Sequence, residues 1–235
     1  MTIPNISIPA ALIGEPTRAA ILMVLCDGCS RSAGELADAV NISAQSASNH
    51  LGLLREGGLV TVVQQGRHRY FRLTSPLVAQ SIEALAVIAP PLRLDRLARR
   101  KGHEALCEAR TCYSHLAGRL GVELHDALLA RGYMAVAQEM DNGRTVYRPT
   151  HSGRQWLREF GIVDDLEAQS CLDWTERRTH IAGPLGVAIL RQMLATGLLQ
   201  PASEPRSLRL TVKGRAFMCE LGIPATAAQS GMDPA

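Results

Sequence analysis

No stretch of these 235 residues approaches the run of about 20 apolar side chains that a bilayer-spanning helix needs, which excludes such a helix. The first residues also lack the charged segment and apolar core of a secretory signal, so a cytoplasmic protein with no membrane partner is expected. Its six cysteines are then expected as reduced thiols, metal ligands or redox sensors ahead of structural disulfides. Charge of one sign is scarce as well: a formal net charge of +3 is too small to establish a polyanionic partner by itself. Only Lys101 and Lys213 are lysines among 25 basic residues, so arginine is the default cation and a single arginine marks nothing. The length allows two domains, since one typically takes about 100–150 residues.

What is present is patterned most clearly between residues 32 and 73. Ser32 and Glu35 have the spacing of a capping box, which predicts a helix over 33–40 with Leu36, Ala37 and Val40 on one face. Asn41-Ile42-Ser43 breaks that helix and caps the next. From Ala44 the polar Gln45, Ser46, Ser48 and Asn49 alternate with an apolar set of Ala47, Leu51 and Leu54, and Arg55 sits near the helix end. Short hydrogen-bonding side chains suit a helix in a major groove, because they reach base edges and phosphates without holding the helix off. Gly57-Gly58 stops the helix, Leu59 to Val63 reads as a strand, Gln64-Gln65-Gly66 turns, and Arg69 to Leu73 runs back. Arg67, His68 and Arg69 make a cationic tip of the kind that grips a phosphate backbone. These features predict a winged helix-turn-helix on double-stranded DNA, with Ser43, Gln45, Ser46, Ser48, Asn49, His50, Arg55, Arg67, His68 and Arg69 as contacts.

The stretches Ile42-Ser43, Ser48-Asn49-His50-Leu51, Leu54-Arg55-Glu56-Gly57-Gly58-Leu59-Val60 and Tyr70-Phe71-Arg72-Leu73 carry a family likeness. Over about its first ninety residues the chain resembles the ArsR family of bacterial transcriptional regulators. The resemblance implies a homodimeric repressor on a near-palindromic operator, relieved by an effector. It also implies that a helix over 15–26 (Ile21, Leu22, Leu25) and one over 76–88 (Leu77, Val78, Ile82, Leu85, Ile88) pair across the dimer. Two metal sites familiar in that family have no counterpart. Residues 35–40 read Glu-Leu-Ala-Asp-Ala-Val with no thiol, and 76–88 contain neither Asp nor His.

The second half of the chain is similar to itself. His115-Leu116-Ala117-Gly118 answers His180-Ile181-Ala182-Gly183, and Leu129-Ala130-Arg131-Gly132 answers Leu194-Ala195-Thr196-Gly197. Thr150-His151-Ser152-Gly153-Arg154 likewise answers Thr211-Val212-Lys213-Gly214-Arg215. Each copy reads as a long helix, a glycine turn, a short hairpin and a final helix beginning at threonine. These are the pieces of a winged-helix-like module without a polar recognition helix. The expected fold is therefore mainly α with small β-hairpin wings. Its divisions are a winged helix-turn-helix over 1–91, a basic linker helix over 92–102 (Arg93, Arg96, Arg99, Arg100, Lys101), repeats over 103–162 and 168–223, and a flexible tail over 224–235.

Cys112, His115, Cys171 and His180 are the leading effector or metal residues, since thiolate and imidazole together hold zinc or another soft ion. Buried cysteines acting as small hydrophobes and histidines bonded to backbone explain the same residues equally simply. Trp174 and Arg177 belong to a dense stretch, Cys171 to Arg178, that fits either an anion pocket or a joint held by ion pairs. Cys26-Asp27-Gly28-Cys29 has CxxC spacing but supplies only two ligands, and Cys26 continues the apolar face of its helix. DNA binding needs no cofactor, a thiol-bound metal ion is the candidate one, and the effector is unnamed. The competing expectation is a thiol enzyme in which His115 activates Cys112 on a shared helix, with the N-terminal domain as an anchor.

Overall fold

The computed structural model describes residues 3–90, 104–140, 144–163 and 165–224. The proposed linker helix over 92–102 and residues 225–235 of the proposed tail lie outside the described residues. Packing divides the chain into two compact units. The first is 1–95 with the short segments 111–114 and 203–206, and the second is 96–110, 115–202 and 207–235.

In the first unit α1 (Ser7–Ile13) and α2 (Pro16–Leu25) precede α3 (Ala33–Val40) and α4 (Ala44–Glu56), and α5 (Pro76–Ile88) closes the run. Local chemistry sets the ends of these helices. Ser32 Oγ accepts from Glu35 N while the Glu35 carboxylate accepts from Ser32 N, so two amides orphaned at the helix start are satisfied reciprocally. Asn41 then turns the chain left-handed at φ 56°, a conformation Asn tolerates better than most residues, and Ser43 Oγ accepts from Ser46 N to start α4. Strands β1 (Arg31–Ser32), β2 (Val60–Gln65) and β3 (His68–Leu73) form an antiparallel sheet in the order β1-β3-β2, with Val62 opposite Phe71 and Gln65 opposite His68. Leu22, Leu25, Leu36, Leu51, Leu54, Val60 and Phe71 fill the core between helices and sheet. Ile21, Leu22 and Leu25 are wholly buried there, so α2 has no such residues left for the dimer contact expected of it. The large apolar side chains that α5 leaves exposed are Leu77, Leu85 and Ile88.

After a helical stretch at 104–108 comes a hairpin, its residues 111–114 grouped with the first unit and the rest with the second. β4 (Arg110–Cys112) and β5 (His115–Ala117) lead into α6 (Arg119–Ala130), the hairpin β6 (Met134–Glu139) with β7 (Thr145–Pro149), and α7 (His151–Glu159). The same order then recurs as β8 (Ala168–Leu172), β9 (Thr179–Ala182), α8 (Gly183–Ala195), β10 (Leu199–Pro201), β11 (Leu208–Leu210) and α9 (Val212–Glu220). The leading hairpins depart from the sequence expectation, in which Cys112 and His115 shared a helix. Strands three to five residues long carry too few alternations to register as a period.

Matching residues make matching bonds in the two halves of this unit. Thr150 Oγ1 accepts from Gly153 N and donates to Gly132 O, and Thr211 Oγ1 accepts from Gly214 N and donates to Gly197 O. The core is built mainly from α6 and α8, through Leu120, Leu124 and Leu128 and through Leu185, Ile189 and Met193. β6-β7-β8-β9 form one antiparallel sheet, while β10-β11 meet β4 through a bridge between Arg110 and Ser207. Among the described residues no single helix is long and apolar enough to cross a membrane.

Candidate functional site

In the first unit, burying Ala47, Leu51 and Leu54 fixes the rotation of α4. The opposite face then carries Gln45, Ser48 and Asn49 in solvent, with Ser46 half-buried and Arg55 exposed at the C-terminal end. Gln45 Nε2 donates to Asn49 Oδ1 at 3.2 Å, which aligns two amide side chains along one exposed stripe. Ser43 is held as the cap, so its hydroxyl is already engaged with backbone. His50 is half-buried, and its Nδ1 lies 3.4 Å from the Glu15 carboxylate at the start of α2. Burial works to raise the Glu15 pKa, but amides of Thr17 and Arg18 bonded to its carboxylate bring it below the usual range. The two-residue turn between β2 and β3 presents Gly66 and Arg67, flanked by the exposed His68 and Arg69. Arg69 stacks over Phe71 with its guanidinium carbon 5.7 Å from the ring centre, which stiffens the wing's base.

In the second half of the chain, four residues far apart in sequence converge. The donor atoms of Cys112, His115, Cys171 and His180 all lie within 4.8 Å of one another. His115 Nε2 and His180 Nε2 are 3.0 Å apart with the rings stacked at 5.0 Å. Cysteine and histidine occupy the two arms of each leading hairpin: Cys171 pairs directly with His180, and Cys112 and His115 flank the turn Tyr113-Ser114. The unequal spacings of three and nine therefore come from turn length alone. Behind His180 sits Asp173, wholly buried, its Oδ2 3.4 Å from His180 Nδ1. The same oxygen accepts from Arg110 Nη2 at 2.9 Å and Gly118 N at 2.7 Å, while Oδ1 accepts from Thr175 N, Thr175 Oγ1 and Glu176 N. Burial alone would raise the Asp173 pKa. The Arg110 guanidinium and these donors overcome it and hold the carboxyl far below the ordinary range.

Comparison with known proteins adds to this geometry. A family described as a helix-turn-helix domain matches residues 13–63. An uncharacterized HTH-type transcriptional regulator, YdfF of Bacillus subtilis, is 38% identical over 228 residues, covering 94% of this chain and 98% of that protein. The chain belongs to the ArsR family of helix-turn-helix transcriptional regulators. The regulator is also 34% identical over 70 residues to the transcriptional repressor SdpR of the same organism, covering 30% of this chain and 77% of SdpR. Among solved structures, the repressor BigR of Xylella fastidiosa is 28% identical over 37% of this chain and 88% of its own, with a TM-score of 0.34.

The remaining candidates of the regulator divide. Cys26 is wholly buried and burial pushes its thiol up to about 12, so it behaves as a core residue, while Cys29 is exposed in the following turn. Trp174 is half-buried with the Arg110 guanidinium over its ring at 4.4 Å, and Arg177 is exposed on the turn of the β8–β9 hairpin at φ 52°. Neither belongs to the converging four. Sequence reasoning missed Arg110 and Glu15 altogether, because arginine is this chain's default cation and a lone glutamate before a proline is unremarkable. Asp173 was visible only as one carboxylate in a dense stretch.

Proposed function

We propose that this regulator is a homodimeric repressor that grips double-stranded DNA through α4 and the β2–β3 wing. In this reading it acts in the cytoplasm, where its operator lies, and lets go when an effector reaches the second half of the chain. The observation that carries the reading is the sidedness of α4. Gln45, Ser48 and Asn49 stand in solvent while Ala47, Leu51 and Leu54 anchor the helix from behind, as a groove-reading helix requires. Of the proposed contacts, Gln45, Ser48 and Asn49 address base edges, with Ser46 beside them. Arg67, His68 and Arg69 on the wing and Arg55 at the end of α4 address phosphate. Ser43 and His50 act from the scaffold side. The exposed Leu77, Leu85 and Ile88, together within about a third of the α5 circumference, supply the apolar stripe of a dimer seam. Residues 103–162 and 168–223 read as two copies of one winged-helix-like unit, and the Thr150 and Thr211 bond sets support that reading.

The thiol-enzyme alternative fares worse. Cys112 is 3% exposed and His115 faces another imidazole, so a substrate would have no approach to the sulfur. A gel shift on the promoter upstream of the protein's own gene tests the regulator reading. Arg67→Ala should weaken binding to all sequences and lower the salt slope by about one phosphate contact, whereas Gln45→Ala and Asn49→Ala should shift preference among sequences by about 1–3 kcal/mol. Unaltered binding by all three variants would discard the assigned surface.

A further inference from the structure

We infer that Cys112, His115, Cys171 and His180 form a closed four-coordinate site for one soft divalent cation of the zinc class. The inference rests on the reading that the effector acts on the second half of the chain, and it supplies the effector's chemical class. Zinc bonds of about 2.0–2.1 Å to nitrogen and 2.3 Å to sulfur set tetrahedral edges at about 3.3–3.8 Å between donors. The four donor atoms already lie within 4.8 Å, and the two imidazole nitrogens at 3.0 Å, so small rotations of side chains complete the tetrahedron.

Protonation points the same way. Asp173 Oδ2 stands 3.4 Å behind the Nδ1 of His180 without an aligned hydrogen bond, and a proton on that Nδ1 would turn the Nε2 lone pair towards the cluster, as in metal-binding histidines backed by a carboxylate. Without a cation His115 must donate its own Nε2 proton to fill the 3.0 Å gap. With one, both lone pairs have an acceptor.

Charge balance selects the ion. Binding releases one proton from each thiol, and two thiolates with two neutral imidazoles neutralise a divalent cation, as a buried site needs. A monovalent or trivalent ion leaves net charge beside Asp173, whose own charge Arg110 already matches. Two thiolates favour a soft cation over magnesium or calcium. All four positions are taken by protein, which is the pattern of sites that fix or switch structure and leaves no position for a substrate. The donors come from two hairpins, β4–β5 and β8–β9, so the ion ties segments of chain more than fifty residues apart.

The packing around the histidines is reciprocal as well. A Cβ on Gly121 would lie 3.6 Å from the His180 Cβ, and one on Gly186 would lie 3.3 Å from the His115 Cβ. The nearer obstacles are Leu116 O, 2.7 Å from a Cβ on Gly121, and Ile181 O, 2.5 Å from one on Gly186, so glycine at both positions seats α6 and α8 closely against the hairpin that precedes each and carries its histidine.

Cobalt(II) titration of the full chain, purified anaerobically and stripped with a chelator, tests the assignment. One cobalt per chain is expected, with the strong visible bands of a tetrahedral site, a thiolate-to-metal charge-transfer band, and displacement by equimolar zinc. Zinc-edge X-ray absorption on the unmutated protein should give two sulfur and two nitrogen donors, a result that needs no variant to fold. Cys171→Ser and His180→Gln should lose uptake, while Cys29→Ser and Cys219→Ser, outside the cluster, should keep it. Substoichiometric cobalt, an octahedral spectrum, or undiminished uptake by Cys171→Ser would overturn the site. Gel shifts on the same preparations separate the two readings. Protein that takes up one cobalt but binds no DNA even when metal-free leaves the site standing and sinks the regulator reading, whereas full operator binding without stoichiometric metal uptake does the reverse. Zinc should lower operator affinity at least tenfold, and an unchanged affinity would overturn its role as effector.

Discussion

Around the helix-turn-helix, Gln45, Ser48, Asn49, Arg67 and Arg69 stand in solvent on an aliphatic scaffold, whereas the second unit turns Arg110, His115, Asp173 and His180 inward. Exposed polar groups keep their hydration until a partner arrives, so the first arrangement is inexpensive and suits a large, charged surface such as a duplex. Buried polar groups must satisfy one another continuously, and an incomplete network is worse than an apolar core. Asp173 meets that demand with five donors, but the facing imidazoles do so only through one shared proton or an ion. The difference teaches where each kind of partner enters: a macromolecule from outside, a small ligand into a prepared interior.

The sharpest way to break the contrast is Asp173→Asn. The substitution keeps the shape but leaves the Arg110 guanidinium buried without its counter-charge, which should cost the second unit about 3–5 kcal/mol. Thermal unfolding of metal-free protein should show that unit's transition falling while operator binding at low temperature persists. The sign with pH follows from the depressed Asp173 pKa. Its contribution is complete above the unfolded value of about 4 and is lost as pH falls below it. Acid titration of the native protein should therefore melt the second unit from about pH 4 downward, with a flatter profile for Asp173→Asn. Equal loss in both units would mean that the buried network is no more demanding than the exposed surface.

The winged helix-turn-helix was legible because its signals are local. Ser32 with Glu35, Asn41-Ile42-Ser43 and Gly57-Gly58 each specify a helix end within four residues, and the structure carries each of them out. The inner site was legible in composition and illegible in mechanism. Cysteine and histidine at spacings of three and nine name four candidates, but the reason they meet is the pairing of strands only three to five residues long. Asp173 and Arg110 were hidden for a related reason: their partners lie more than sixty residues away, and no short-range pattern encodes them. Ile21, Leu22 and Leu25 show the opposite error, since an apolar helix face reads identically whether it meets its own core or a second copy.

A smaller effect tests whether the two halves of the second unit are truly alike. A Cβ added to Gly153 would fall 1.8 Å from Tyr133 O, and one added to Gly214 would fall 2.0 Å from Leu198 O. Both obstacles are backbone, so neither can yield as a flexible side chain would. Gly153→Ala and Gly214→Ala should each cost at least about 1–3 kcal/mol, as overpacking does. Matching losses by denaturant unfolding would support copies of equal weight. A large loss at one position and a small loss at the other would mean that one half carries the fold and the other only resembles it.

The smallest effect should have the opposite sign and belong to the first unit. Gly52 lies inside α4, and a Cβ there would meet nothing within 4 Å. Glycine in a helix interior loses more backbone freedom on folding than alanine, so Gly52→Ala should stabilise this unit by about 0.5–1 kcal/mol. The gain should appear as a higher denaturation midpoint of the first unit, with the second unit and its cobalt uptake unmoved. Its effect on operator binding then separates two uses of the open space. Unchanged affinity means that the gap beside α4 is idle, and the stability gain is a surplus. A loss of affinity alongside the gain in stability would mean that DNA backbone comes close enough to need the missing methyl, which would place Gly52 in the interface beside Ser48 and Asn49.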